Sequence, residues 1–169
     1  MKHLRGIAIS TLAACLVTGS IAWTRGQAQE EIPKDPFVGT WKINLAKSTY
    51  DPARLTPKRG ATIKREAYGT DAYRVTADLP DSEGGTMLIE YLATLDGKDC
   101  RLTGSPDYDS VALRRLDANT LISVNKLGGV VTRMMRIVIS KDGKTSTSDQ
   151  VGYNAQGVAF HNVAVSERQ

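Results

Sequence analysis

From Phe37 onward the chain alternates apolar and polar residues in runs of five to nine, cut apart by Gly, Asn and Asp at short intervals. A period of two places successive side chains on opposite faces, so the pattern demands β-strands and leaves no room for long amphipathic helices. Phe37, Gly39, Trp41, Ile43 and Leu45 share one face of the first run. Tyr73, Val75, Ala77 and Leu79 do so in a later one, and Met87, Ile89, Tyr91, Ala93 and Leu95 in the next. Ala61–Tyr68 is mostly polar, with Ile63 as its clearest apolar anchor. Short pieces around Cys100–Leu102 and Val111–Leu113 follow, then Leu121–Leu127, Val130–Ser140, Thr145–Tyr153 and Val158–Ser166.

The punctuation is turn chemistry. Asp96-Gly97-Lys98, Asp117-Ala118-Asn119, Gly128-Gly129, Lys141-Asp142-Gly143-Lys144 and Asn154-Ala155-Gln156-Gly157 supply residues that tolerate positive φ or form Asx turns. The longest connection, Ala46–Gly60, carries Pro52 and Pro57 and room for a helical turn at most. Many short strands joined by tight hairpins make a meander, and a long meander closes because open edges invite aggregation. The expected fold is all-β: a single antiparallel up-and-down β-barrel of about eight to ten strands.

Ahead of the barrel, residues 1–28 read as a secretory signal peptide. Lys2 and Arg5 precede an apolar stretch from Ile7 to Ala22, and Gly26-Gln27-Ala28 offers small residues for cleavage. The competing reading is a lipid anchor at Cys15, within Leu12-Ala13-Ala14-Cys15; against it, the chain stays apolar from Leu16 to Trp23. Residues 29–36 read as a disordered lead-in, with two prolines and four charges. Residues 37–169 form the barrel domain, and the chain is exported to the periplasm or the extracellular space.

Losing the leader changes the charge argument. The formal +4 of the whole chain drops to about +1, so its basicity is no argument for nucleic acid or an anionic membrane. No transmembrane segment is expected in the remaining domain. Cys100 is then the only cysteine, and no internal disulfide can form.

Phe37-Val38-Gly39-Thr40-Trp41-Lys42 resembles the first strand of the calycins, the lipocalins and fatty-acid-binding proteins, whose Gly-x-Trp indole closes one barrel end. Leu95-Asp96-Gly97-Lys98-Asp99, Leu102-Thr103-Gly104, Leu116-Asp117-Ala118-Asn119-Thr120 and Ser140-Lys141-Asp142-Gly143-Lys144-Thr145 add a resemblance to a group of uncharacterised bacterial secreted lipocalin-like proteins. The resemblance implies a barrel and export, and no activity. Fatty-acid-binding proteins hold a ligand carboxylate with Arg-x-Tyr near the C-terminus; the matching positions here are Ala164 and Ser166, so that clamp is missing.

Catalytic material is scarce. His161 is the only histidine outside the leader, with no nucleophile elbow in the chain, so a solvent-facing strand histidine is the ordinary reading. No His/Cys cluster suits zinc. Asp107 and Asp109, with Asp81 and Glu83, lack the calcium-loop pattern and read as charged hairpin tips. Glu83-Gly84-Gly85-Thr86 precedes no helix and is no phosphate loop. Cys100, between Lys98 and Arg101, reads as a structural thiol. No catalytic residue, metal or cofactor is expected.

Candidate binding residues are Trp41, Tyr73, Tyr91, Arg133 and Arg136. Trp41 closes the barrel end, while Tyr73 and Tyr91 sit on apolar faces with hydroxyls to offer. Arg133 shares parity with Val131, Met135, Ile137 and Ile139, and an inward cation needs a carboxylate or an anionic head group. In the opposite register Arg136 is the inward one. The functional reading is non-catalytic binding of a small apolar or amphipathic ligand. The alternatives are a ligand-free envelope or interaction domain with a side-chain-filled barrel, and an enzyme on the same barrel.

Overall fold

The structure, a computed structural model, describes residues 35–81 and 85–169. The leader, Cys15, residues 29–34 of the lead-in and Glu83 lie outside the described residues. Eleven strands run in order: β1 Gly39–Ile43, β2 Thr49–Asp51, β3 Thr62–Tyr68, β4 Ala72–Pro80, β5 Thr86–Thr94, β6 Asp96–Thr103, β7 Ser110–Arg115, β8 Thr120–Leu127, β9 Val130–Ile139, β10 Thr145–Tyr153 and β11 Ala159–Arg168. Every pairing is antiparallel: β1 bonds β3, each strand from β3 to β10 bonds its successor, and β11 returns to β1 to close a ten-stranded barrel. The short β2 continues along the edge of β11 beyond the point where β1 leaves it, pairing Thr49, Tyr50 and Asp51 with Val163, Asn162 and His161.

Two details go beyond the sequence reading. The Ala46–Gly60 connection holds β2 and two 3-10 turns, Leu45–Lys47 and Ala53–Leu55; a three-residue strand is too short to show alternation. Asp96-Gly97-Lys98 turns the chain from β5 into β6, with Asp96 Oδ1 accepting Lys98 N–H at 3.1 Å, and at the same time opens β6 itself. Gly97 takes φ +88° there, and the β6–β7 register shifts between Asp96 and Asp99, the signature of a bulge built on positive φ. The other turns form as their chemistry demands. Gly128 and Gly129 both have positive φ, as a two-residue primed turn requires. Asp117, Asp142 and Asn154 each accept a backbone N–H from two residues on.

The two ends of the barrel are built differently. Hairpins β3–β4, β5–β6, β7–β8 and β9–β10 gather at one end with the chain's first described residues, and the packed core lies there. Phe37 and Trp41 are fully buried, and Tyr73, Ala93, Leu113, Leu121 and Ile139 surround them. Trp41 Nε1 donates to Phe37 O at 3.0 Å. Arg168, at the end of β11, lies 4.3 Å from the Trp41 ring centroid and donates to Gly143 O, Val38 O and Pro36 O at 2.7, 2.6 and 2.6 Å. Gly39 is required beside it: its φ is +133°, and a Cβ there would stand 2.5 Å from Arg168 Nη1. Asp35 completes the seal, accepting from Tyr73 Oη at 2.5 Å and from Arg115 Nη2 at 2.7 Å; Arg115 also contacts the Tyr73 hydroxyl.

Candidate ligand cavity

Above that plug the barrel is hollow. A cavity of about 370 Å³ extends from Val75, Leu102 and Ile137 up to the Ala46–Gly60 connection, from which Tyr50, Leu55 and Pro57 reach into it. Its wall is divided. The β3–β5 side is apolar, with Ile63, Ala77, Leu79, Met87 and Ile89. The β8–β11 side is mixed: Asn125, Ser146, Ser148, Gln150, Asn162 and Ser166 are interleaved with Met135, Ile137, Phe160 and Ala164. Asn125, Ser146 and Ser166 are buried. A strand whose inward residues are Ser146, Ser148 and Gln150 cannot pack a dry core, because each buried hydroxyl or amide needs a partner.

Two cations face this space. On β3, Arg65 shares the inward parity of Ile63 and pairs with Gly39 on β1 and Val75 on β4; Val75 in turn pairs with Tyr91 on β5. Its neighbours in that row are small, which lets the long side chain extend inward. Its Nη1 is buried and has no hydrogen-bond partner. Burial pushes the Arg65 guanidinium below its ordinary value, partly opposed by the phenols of Tyr91 and Tyr73. On β9, Arg133 lies 4.5 Å from the Tyr108 ring centroid and donates from Nε to Asn125 Oδ1 at 3.4 Å. A Cβ on the paired Gly152 would stand 2.9 Å from Arg133 Cα, so glycine is what admits the close crossing of β9 and β10.

Tyr91 stands in the field of both arginines; burial nevertheless pushes its phenol above the ordinary value. Neither arginine belongs to an ion pair among the described residues. Asp107 is the carboxylate in the lining, and its Oδ1 accepts Ala155 N–H at 2.9 Å.

The candidate residues therefore separate. Tyr91 and Arg133 line the cavity; Trp41 and Tyr73 do not, being spent on the closed end. Arg136 is exposed on the outer face, because β9 puts Arg133 inside and its third neighbour outside. Arg65 was not singled out by its sequence, although parity with Ile63 was the available signal. Ala164 and Ser166 do face the cavity, so the positions of the missing Arg-x-Tyr clamp are here small and leave room. His161 is on the outer surface, its Nε2 2.8 Å from Asp149 Oδ1, with both side chains more than half exposed. Cys100 is a half-buried free thiol on β6.

No protein-family model matches this chain, and no curated protein matches it. Among solved structures, the zebrafish ileal bile acid-binding protein in complex with cholic acid is similar at 12% identity and a TM-score of 0.46, covering 79% of this chain and 99% of that one. Two variants of the fluorescent protein UnaG are similar at 18% and 13% identity, with TM-scores of 0.48 and 0.49, each covering 79% of this chain and 96% of that one. The closed antiparallel meander is the up-and-down β-barrel that the alternation and the turns predicted.

Proposed function

We propose that this protein is an exported barrel that holds a small amphipathic molecule in its interior without catalysis. The observation that carries the reading is the hollow interior itself: about 370 Å³, inside the range of ligand pockets (roughly 300–1,000 Å³), with an apolar β3–β5 wall and a β8–β11 wall that mixes apolar with polar side chains. The inward polar residues of β10 and β11 count against a barrel filled by its own side chains, which would place aliphatic residues there. His161, the one imidazole of the barrel, is on the outer face and offers no base to the cavity. Export rests on residues 1–28 as a leader.

Native mass spectrometry of the exported protein, purified without detergent, tests both parts. A small-molecule adduct lost on denaturation, on a chain starting after Ala28, is the expected result. An unliganded mass, with no thermal stabilisation by a panel of amphiphiles, would refute ligand binding. An N-terminus at Met1 would refute export through cleavage.

A further inference from the structure

We propose that the ligand is an amphipathic anion whose head group is seated on Arg65 beside Tyr91, with its tail lying against the apolar β3–β5 wall under the Ala46–Gly60 connection. This rests on the ligand-binding reading above and adds the chemistry and direction of the occupant. Arg65 is a permanent charge with a buried Nη1 that bonds to nothing, and it has no ion-pair partner among the described residues. A buried guanidinium N–H needs an acceptor, and an anion is the best fitted to it, since it receives the N–H groups in a fork. Arg133 differs, since it already has Asn125 and the Tyr108 ring. Arg65 is therefore the anchor, and Arg133 adds charge across the same space.

The direction follows from the walls. From the Arg65 row of β3–β5, the same strands lead toward the mouth through Ile63, Ala77, Ile89, Leu79 and Met87, ending at Leu55 and Pro57. An apolar tail anchored at Arg65 finds that path continuous. The opposite wall interrupts its apolar residues Met135, Ile137, Phe160 and Ala164 with Asn125, Ser148, Gln150 and Asn162, so it gives the tail no path as continuous.

The test is calorimetric titration with three probes of one tail length, decanoate, decyl sulfate and decan-1-ol, at neutral pH. At least one anion is expected to bind the wild-type protein about tenfold or more tighter than the alcohol, the scale of one charge-assisted hydrogen bond. R65M is expected to level anion and alcohol by weakening the anion alone, and R65Q to do the same while keeping a polar group. Melting without ligand is the second readout. R65M is expected to melt above the wild type, because the unpartnered charge is gone and an apolar side chain of similar length replaces it.

Alcohol binding as tight as both anions would overturn the head-group assignment and leave the cavity reading standing. Binding of no probe would overturn both. A lower melting temperature for R65M and R65Q, with all probes weakened equally, would show that Arg65 is structural and would also overturn the assignment.

Discussion

Arg168→Ala should open the closed end of the barrel. The guanidinium makes three hydrogen bonds to main-chain carbonyls and stacks 4.3 Å from the Trp41 ring centroid. It ties β11 to the β9–β10 hairpin through Gly143 and to the start of the chain through Pro36 and Val38. At about 1 kcal/mol net per bond and a little under 1 for the ring contact, discounted because the group is only partly buried, the loss should be about 3 kcal/mol. In a domain of this size that lowers Tm by roughly 10 °C.

Trp41 is the only tryptophan after residue 28, so in a chain produced from Gln29 onward its fluorescence reports this site alone. Urea unfolding followed by that emission and by far-UV circular dichroism gives the difference in stability, and the native emission should shift to longer wavelength as water reaches the indole. Arg74→Ala is the control: Arg74 is exposed over Tyr68 on the outer surface, and its loss should stay within about 0.5 kcal/mol. A loss below about 1 kcal/mol for Arg168→Ala, with unchanged emission, would refute the view that this clamp seals the barrel.

Other expectations are narrower. Gly104→Ala places a Cβ 1.8 Å from Leu88 O at φ +91° and should cost more than about 3 kcal/mol or prevent folding, read from the urea midpoint. Ala164→Phe should fill the cavity, abolish ligand-induced stabilisation in a thermal shift assay and cost about 1–3 kcal/mol from crowding. Burial raises the phenols of Tyr73, Tyr91 and Tyr50 above their ordinary value; Asp35 adds to the shift at Tyr73, and a bond from Ser48 opposes it at Tyr50. Their folded state favours the neutral form, so stability holds below about pH 10 and falls as pH rises past it. Three of the six tyrosines should accordingly ionise only as the circular dichroism of the barrel is lost. At the acid end, Asp142 is held below the usual carboxylate range by Ser140 and Lys144 N–H, and Glu167 by Lys47 and Asn44. That stability is complete above about pH 4 and lost as pH falls through the lowered values, so Asp142→Asn should flatten the acid limb of the melting profile.

The scaffold was legible in the sequence because two independent signals coincide in it. Alternation fixed most strands, from β4 with Tyr73–Leu79 to β9 with Val130–Ile139, and Asn, Asp and Gly fixed the turns between them. Where the signal was missing the reading slipped: Thr49–Asp51 forms a strand too short for any period, and the bulge that β6 carries straight after its Asp96-Gly97-Lys98 turn has no mark in the sequence. The closed end was legible in part. Gly39-x-Trp41 marked it, yet nothing near Arg168 in the sequence says that it crosses to cover the indole, because that contact joins residues at opposite ends of the fold.

The cavity was less legible for a physical reason. Hydrophobic patterning identifies an inward face by assuming that inside means dry, and β10 reverses that assumption: Ser146, Ser148 and Gln150 face inward while Val151 and Tyr153 are exposed. Arg65 was hidden by the same logic, since a charged residue in a mostly polar strand reads as solvent-facing until the register with Gly39 and Val75 places it inside. The features that the pattern misassigned are the ones a packed core would expel. A barrel stabilised by its interior would replace an uncompensated guanidinium with an aliphatic side chain of the same length, and would gain stability by doing so. That Arg65 stands among Val75, Tyr91 and Ile63 is therefore better explained by what enters the barrel than by what holds it together.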